Sequence, residues 1–279
     1  MTDEPGADDS LEAHEARLAA EREVQERLVA HPGYRMHLEL QAFATMLAGV
    51  FRPNAGSLMR LLDEAATNQD LAVELIQNAY DDAIAREFRA EASRLLHNYV
   101  AATMTLVEHS RRLMRGRLDP VADAWDERRA ELLKNGEVPF MMDLRVFIQH
   151  RTLPVLAHTL HLESPNTPDA TWDSEVELGR DSLLGWDGWK ASAREFLTAQ
   201  AEAIQLRPLV KKHTELVYEA NAWLHQRLQD DNKAGLDEAN RLIVEMTAAR
   251  FGSTFEEAEA FTERITAERS RPRPDPRSP

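Results

Sequence analysis

The chain has 279 residues and a mass of 31.7 kDa, long enough to bury about three quarters of the surface its unfolded form exposes, so it needs no disulfide or metal to hold a core. Its 43% hydrophobic and 29% charged residues, with only 11 Gly and 13 Pro, exclude collagenous and loop-rich classes. The absence of cysteine removes thiolate nucleophiles and cysteine-zinc sites together, and the formal charge of −15 argues against broad capture of a phosphate backbone, which Lys and Arg would hold.

A chain without cysteine fits the cytoplasm. The first thirty residues are acidic and carry no continuous apolar run, which predicts no secretory signal. The longest apolar stretch, "FATMLAGVF" at Phe43–Phe51, is about half of a bilayer span. The expectation is a soluble, cytoplasmic chain with no membrane partner.

In chain order, residues 1–30 read as an acidic lead, with Ser10 as a candidate N-cap, followed by a charged surface helix from Leu11 to Ala30 whose Glu and Arg residues pair at helical spacing. "HPG" at His31–Gly33 stops that helix. A single helical domain is expected over 31–268, opening with short amphipathic helices near 34–51, 55–66 and 69–86. A long central helix follows through "EASRLLHNYVAATMTLVEHSRRLMRG", where Leu96, Tyr99, Thr103, Leu106, Ser110 and Leu113 recur every three or four residues and Gly116 ends the pattern. Beside that seam runs a more polar stripe of Asn98, Ala102, Thr105, His109 and Arg112, suited either to a site or to solvent. Near the end of this helix Arg111, Arg112, Arg115 and Arg117 face a single acid, Glu108; cations at a helix C-terminus explain such a patch as well as a binding surface does.

The next helix is predicted over 119–134, ended by "NGEVP", and another begins near Phe140. Between His158 and Asp187 the alternation of "TLHL" and "EVELG" around a Pro, Asn and Asp cluster predicts a small β-hairpin near 158–180. Helices resume at 187–205, 207–230, 234–250 and 254–268. Residues 269–279 form a Pro/Arg tail that cannot build a core. The fold class expected is all-α, a bundle of nine or ten helices with one small β excursion.

One motif carries a functional reading. In "LRVFIQHRTLPVLAH" an arginine, Arg145, precedes a histidine, His150, by five positions, and on an ideal helix that offset turns them about 140° apart. Pro154 lacks the N–H that would pair with the carbonyl of residue 150 and crowds the same carbonyl, so the helix is expected to distort at His150 and turn it toward a cleft within reach of Arg145. Arg145 and His150, with four residues between them, resemble the R-x(4 to 6)-H signature of the higher-eukaryote and prokaryote nucleotide-binding (HEPN) superfamily. That resemblance implies a helical, metal-independent endoribonuclease of a bacterial toxin–antitoxin or phage-defence type. It would use no cofactor and bind RNA or another nucleotide, with two copies of the motif meeting in a homodimer. It also implies His150 as acid/base on the ribose 2′-OH and Arg145 as phosphate ligand, with Asn98, His109 and Arg112 as auxiliary groups on a facing helix. Imidazole and guanidinium suit those roles. The chain departs from the family in having Val146, where a polar residue commonly follows the arginine. The alternative class is a non-catalytic helical module that binds a protein or a nucleotide through a degenerate site.

Other motifs point less far. His158 and His161 in "HTLH" have a metal-compatible spacing on a helix but no acidic partner at ligand spacing, and no histidine has Glu three residues before it, as a di-iron bundle requires. No metal site is therefore predicted. Trp186 and Trp189 in "GWDGW", together with Trp223, suit either a base-stacking platform or core anchors.

Overall fold

A computed structural model describes residues 7–77, 83–154, 156–163 and 171–270. The acidic lead before Ala7, the turn between the two predicted strands and the Pro/Arg tail after Ser270 lie outside the described residues. The fold is all-α with a small antiparallel sheet. Its elements are α1 (Ala7–Ala30), α2 (Pro32–Ala44), a π-helical segment (Thr45–Phe51), α3 (Arg52–Thr67), α4 (Gln69–Gln77), α5 (Ala83–Met114), α6 (Pro120–Lys134) and α7 (Glu137–His150), followed by β1 (Leu156–Glu163), β2 (Thr171–Gly179), α8 (Arg180–Leu184), α9 (Ala191–Ala199), β3 (Ala203–Gln205), α10 (Leu206–Asp231), α11 (Lys233–Phe251) and α12 (Phe255–Ser270). No described helix is long and apolar enough to cross a membrane.

The chain forms two compact units, one holding residues up to Gln41 and from Gln229 onward, the other Ala42–Leu228. In the first unit α1 packs along α11, and α11 against α12. Ion pairs link α1 to α11: Arg250 donates to Glu21 at 2.7 Å and Arg27 reaches Glu245 at 3.4 Å. Where α2 meets α11, a Cβ on Gly33 would sit 1.9 Å from the Gly235 carbonyl oxygen, so the backbones can approach only because position 33 carries none. The turn into α12 has Gly252 in the left-handed region, at φ 63°. A reciprocal cap then starts α12: the Thr254 N–H donates to Glu257 Oε2 at 2.9 Å, and the Glu257 N–H donates to Thr254 Oγ1 at 3.3 Å.

In the second unit the predicted seam of α5 is the core: Leu96, Tyr99, Thr103, Leu106, Ser110 and Leu113 are all buried. Helix α5 packs against α3 and α7, and α7 in turn against α6 and α9. The Asp119 carboxylate caps α6 by accepting from the Ala122 N–H at 2.9 Å. The tryptophans of "GWDGW" act as core anchors: the Trp189 ring is stacked 5.5 Å from Phe147 and 5.6 Å from Phe140, and its indole N–H donates to the Leu183 carbonyl at 2.7 Å. The hairpin pairs β1 with β2 antiparallel, with Leu156 opposite Leu178 and Leu160 opposite Ser174.

Three local departures from the sequence reading have physical causes. Residues 34–51 are not one α-helix, because from Thr45 the ladder widens to a π pattern in which the Arg52 N–H bonds to the Leu47 carbonyl. That places Phe51 against Tyr99, with ring centres 5.9 Å apart. The helix expected over 187–205 stops at Ala199, and Ala203–Gln205 pairs with the edge of β2 through Ile204 opposite Leu178. Good helix formers there yield to a sheet edge that needs a partner. At its other end the chain enters α1 at Ala7, ahead of Ser10, so that serine lies within the helix.

Candidate functional site

Arg145 and His150 both lie on α7, which stays regular until it ends at His150. The break caused by Pro154 is therefore a termination and not a kink: Arg151 has left helical backbone geometry at φ −124° and ψ −75°, and Pro154 is buried in the segment that leads to β1. Arg145 is half-buried, His150 exposed, and neither side chain has a hydrogen bond or ion pair among the described residues. Asn98 and His109 are half-buried and Arg112 exposed on α5, the helix packed against α7. None of these five residues lines either of the cavities described below.

Two buried polar side chains lie elsewhere, on α10. Its core face is apolar at Leu206, Leu209, Val210, Val217, Leu224 and Leu228, but it is interrupted by His213, fully buried, and Asn221, 3% exposed. His213 Nδ1 lies 2.5 Å from the Tyr99 hydroxyl, which also bonds Thr214 Oγ1 at 2.8 Å. Burial pushes the imidazole down to about 3 and, opposed by the bond to Thr214, pushes the Tyr99 phenol up. The pair is thus neutral at physiological pH. Two proton arrangements serve it: Tyr99 donates to Nδ1 and leaves a proton on Nε2, or Nδ1–H donates to Tyr99 and leaves Nε2 a bare acceptor. In both, Nε2 has one bonding capacity left, and it has no partner among the described residues. The same holds for Asn221 Oδ1, whose amide nitrogen donates to the Val217 carbonyl at 2.7 Å and so fixes the oxygen on the other side.

Both residues line one cavity of about 60 Å³ between α5, α6, α7 and α10, several times the room that one water centre needs. Thr103 and Val107 come from α5, Trp125 and Leu132 from α6, and Val138 and Met142 from α7. Thr103 and Ser110 spend their hydroxyl protons on the Tyr99 and Val107 carbonyls, leaving only acceptor capacity. The cavity opens beside three exposed side chains, Arg111, Arg129 and Leu133. A small molecule that is apolar along its length and offers hydrogen-bonding groups to His213 and Asn221 fits this chemistry.

A second, wider cleft of about 490 Å³ lies over Met59, Asp63 and Pro208. Its buried Glu175 accepts a fork from Arg207, at 3.2 Å from Nε and 3.0 Å from Nη2. That hydrogen bond, with the neighbouring carboxylates, raises the guanidinium above its ordinary value. The arrangement is an internally neutralised ion pair. As for metals, β1 places His158 and His161 on opposite faces of a strand. His158 Nε2 pairs with Ser174 Oγ at 2.8 Å, and burial holds its imidazole low against the pull of Glu177. Among the described residues no group of three or more His, Asp or Glu could hold a metal ion.

The sequence reading singled out neither His213 nor Asn221. The signal was present: His213, Val217 and Asn221 follow one another at spacings of four on the face of "LVKKHTELVYEANAWL" that also carries Leu209 and Leu224, so two hydrogen-bonding residues occupy core positions. The stripe of α5 that lines the cavity is the one read as packing seam, through Thr103 and Ser110. No protein-family model, curated protein or solved structure matches this chain.

Proposed function

We propose that this chain is a non-catalytic helical binding module whose site is the cavity between α5, α6, α7 and α10, and whose ligand is a small, largely apolar molecule carrying hydroxyl groups. One observation carries the reading: two residues that line one cavity, His213 and Asn221, each hold a buried polar atom, Nε2 and Oδ1, that has no partner among the described residues. Each such atom costs about 1–3 kcal/mol while unpaired, a cost that a ligand with matching groups removes. A hydroxyl suits both positions, because it donates to Asn221 and can either donate to or accept from His213 whichever tautomer is present. Binding is favoured over proton-transfer chemistry because the His213 imidazole, held near 3, is neutral at physiological pH and too weak a base to take up a proton there.

The test is a calorimetric titration with hexanediol bearing a hydroxyl at each end, alongside the Trp125 emission, since Trp125 lines the cavity. Saturable binding that Asn221→Leu weakens by about tenfold is expected; no binding up to millimolar diol refutes the reading. A second reading, a metal-independent ribonuclease of the HEPN kind, is favoured by one observation: the side chains of Arg145 and His150 stand on one helix without partners among the described residues, with His150 exposed. It expects cleavage of mixed RNA in EDTA that disappears in His150→Ala, and cleavage by neither protein removes it.

A further inference from the structure

The mouth of the cavity differs from its interior. Arg111, from α5, and Arg129, from α6, are the two charged residues in its lining, and their side chains are 48% and 49% exposed. Each is held by a carboxylate three residues earlier on its own helix, Glu108 for Arg111 and Asp126 for Arg129, the latter at 3.3 Å. Those carboxylates are themselves 60% and 70% exposed, so the pairs are solvent-screened and cheap to open. Arg112 and Arg115 stand exposed at the same end of α5. In a chain whose formal charge is −15, the charged groups that line this cavity are both cations. A ligand entering it passes guanidinium groups from two different helices, and a carboxylate is the group that a guanidinium fork accepts best.

The interior sets the shape of the ligand. His213 and Asn221 line the same cavity and are eight residues apart on α10, which places them about 12 Å apart along the helix axis. The cavity they line holds about 60 Å³, a small space. Val107, Leu132, Val138, Met142 and Val217 give it apolar walls. An unbranched chain needs the smallest cross-section to reach into such a space.

Resting on the binding reading above, we infer that the ligand class is a linear hydroxy-carboxylic acid. Its carboxylate sits between Arg111 and Arg129 at the mouth, its methylene chain lies against the apolar walls, and its hydroxyl answers one of the partnerless atoms of His213 and Asn221. The polar interior rejects a plain alkanoate, which would leave both atoms unpaired, and the basic mouth rejects amines and polyamines.

Three probes of equal chain length separate these parts by calorimetry at pH 7 and low salt: ω-hydroxyhexanoate, hexanoate and hexanediol with a hydroxyl at each end. The hydroxy acid is expected to bind about tenfold more tightly than the diol. This preference should shrink as salt is raised and vanish in an Arg111→Ala/Arg129→Ala double variant, whose exposed positions leave the fold intact by circular dichroism. The hydroxy acid is also expected to outbind hexanoate, with that advantage lost in Asn221→Leu or, where the hydroxyl answers the imidazole, in His213→Leu. Equal binding of diol and hydroxy acid, or a preference that survives the double variant, overturns the carboxylate assignment while the cavity reading stands. Hexanoate binding as tightly as the hydroxy acid overturns the hydroxyl assignment. Failure of all three probes to bind overturns the cavity reading and this inference together.

Discussion

Acidification should unfold the second unit through one buried ring. His213 is fully buried, and its imidazole, ordinarily near 6.5, is pushed to about 3 by desolvation. The folded chain therefore holds it neutral, while the unfolded chain protonates it below about pH 6.5. Between those two values the unfolded state binds the extra proton, so stability rises with pH. The contribution is fully present above about pH 6.5 and drains as pH falls toward 3. With these two values, linkage puts the loss between pH 7 and pH 5 at about 2 kcal/mol, and the whole span at about 5 kcal/mol. His158, also held low, contributes in the same direction, so the decisive comparison is with a His213→Gln variant, which keeps a hydrogen-bonding group beside Tyr99 but does not titrate. All five tryptophans (Trp125, Trp172, Trp186, Trp189 and Trp223) lie within Ala42–Leu228, so urea unfolding followed by tryptophan emission reports this unit alone. Wild type should lose about 2 kcal/mol more than the variant between pH 7 and pH 5. Equal pH dependence in the two proteins would refute the assignment of a buried, neutral imidazole.

Three further outcomes follow from the packing. Arg207→Met should lower the urea-unfolding free energy of the second unit by about 1–3 kcal/mol, because Glu175, only 5% exposed at its side chain, loses both donors to Oε1; adding Glu175→Gln should recover part of it, and additive losses would show the pair uncoupled. In the first unit, Gly33→Ala drives a Cβ to 1.9 Å from the Gly235 oxygen and should cost about 1–3 kcal/mol, seen as faster amide exchange in α1 and α11. Gly235→Ala, whose Cβ meets Gly33 Cα at an ordinary 3.5 Å, should be neutral or stabilising by up to about 1 kcal/mol; similar losses in both would contradict the one-sided contact. Asp119→Ala removes the acceptor for the Ala122 N–H and should cost about 1 kcal/mol, with fraying confined to the first turn of α6 in hydrogen exchange.

Much of the fold is local in origin and was legible for that reason. The seam of α5, the start of α6 after Asp119, the stop of α1 at His31 and the alternation of β1 and β2 follow from periodicity and capping, which are properties of neighbouring residues. Strand β3 was not legible, since Ala203–Gln205 has one apolar residue, Ile204, and takes its form from the edge of β2. The π-helical turn at Thr45–Phe51 was equally hidden, because it is resolved by the packing of Phe51 on Tyr99. For the Arg145–His150 motif, the sequence supplied the spacing and the proline; only the backbone shows that α7 ends at His150 instead of bending there.

The amino-acid sequence by itself determined the all-α class, the helix boundaries set by caps and prolines, and the polar interruptions at positions 213 and 221 of an apolar face, because hydrophobic periodicity and capping act within a few residues. Tertiary structure decided that those two interruptions share a cavity with residues of α5, α6 and α7, that Tyr99 reaches His213 across 114 positions of sequence, and that Arg111 and Arg129 line that same cavity from two helices. Those relations depend on which helices become neighbours and at what spacing. That is a property of how whole faces pack together, and it is written in no single segment.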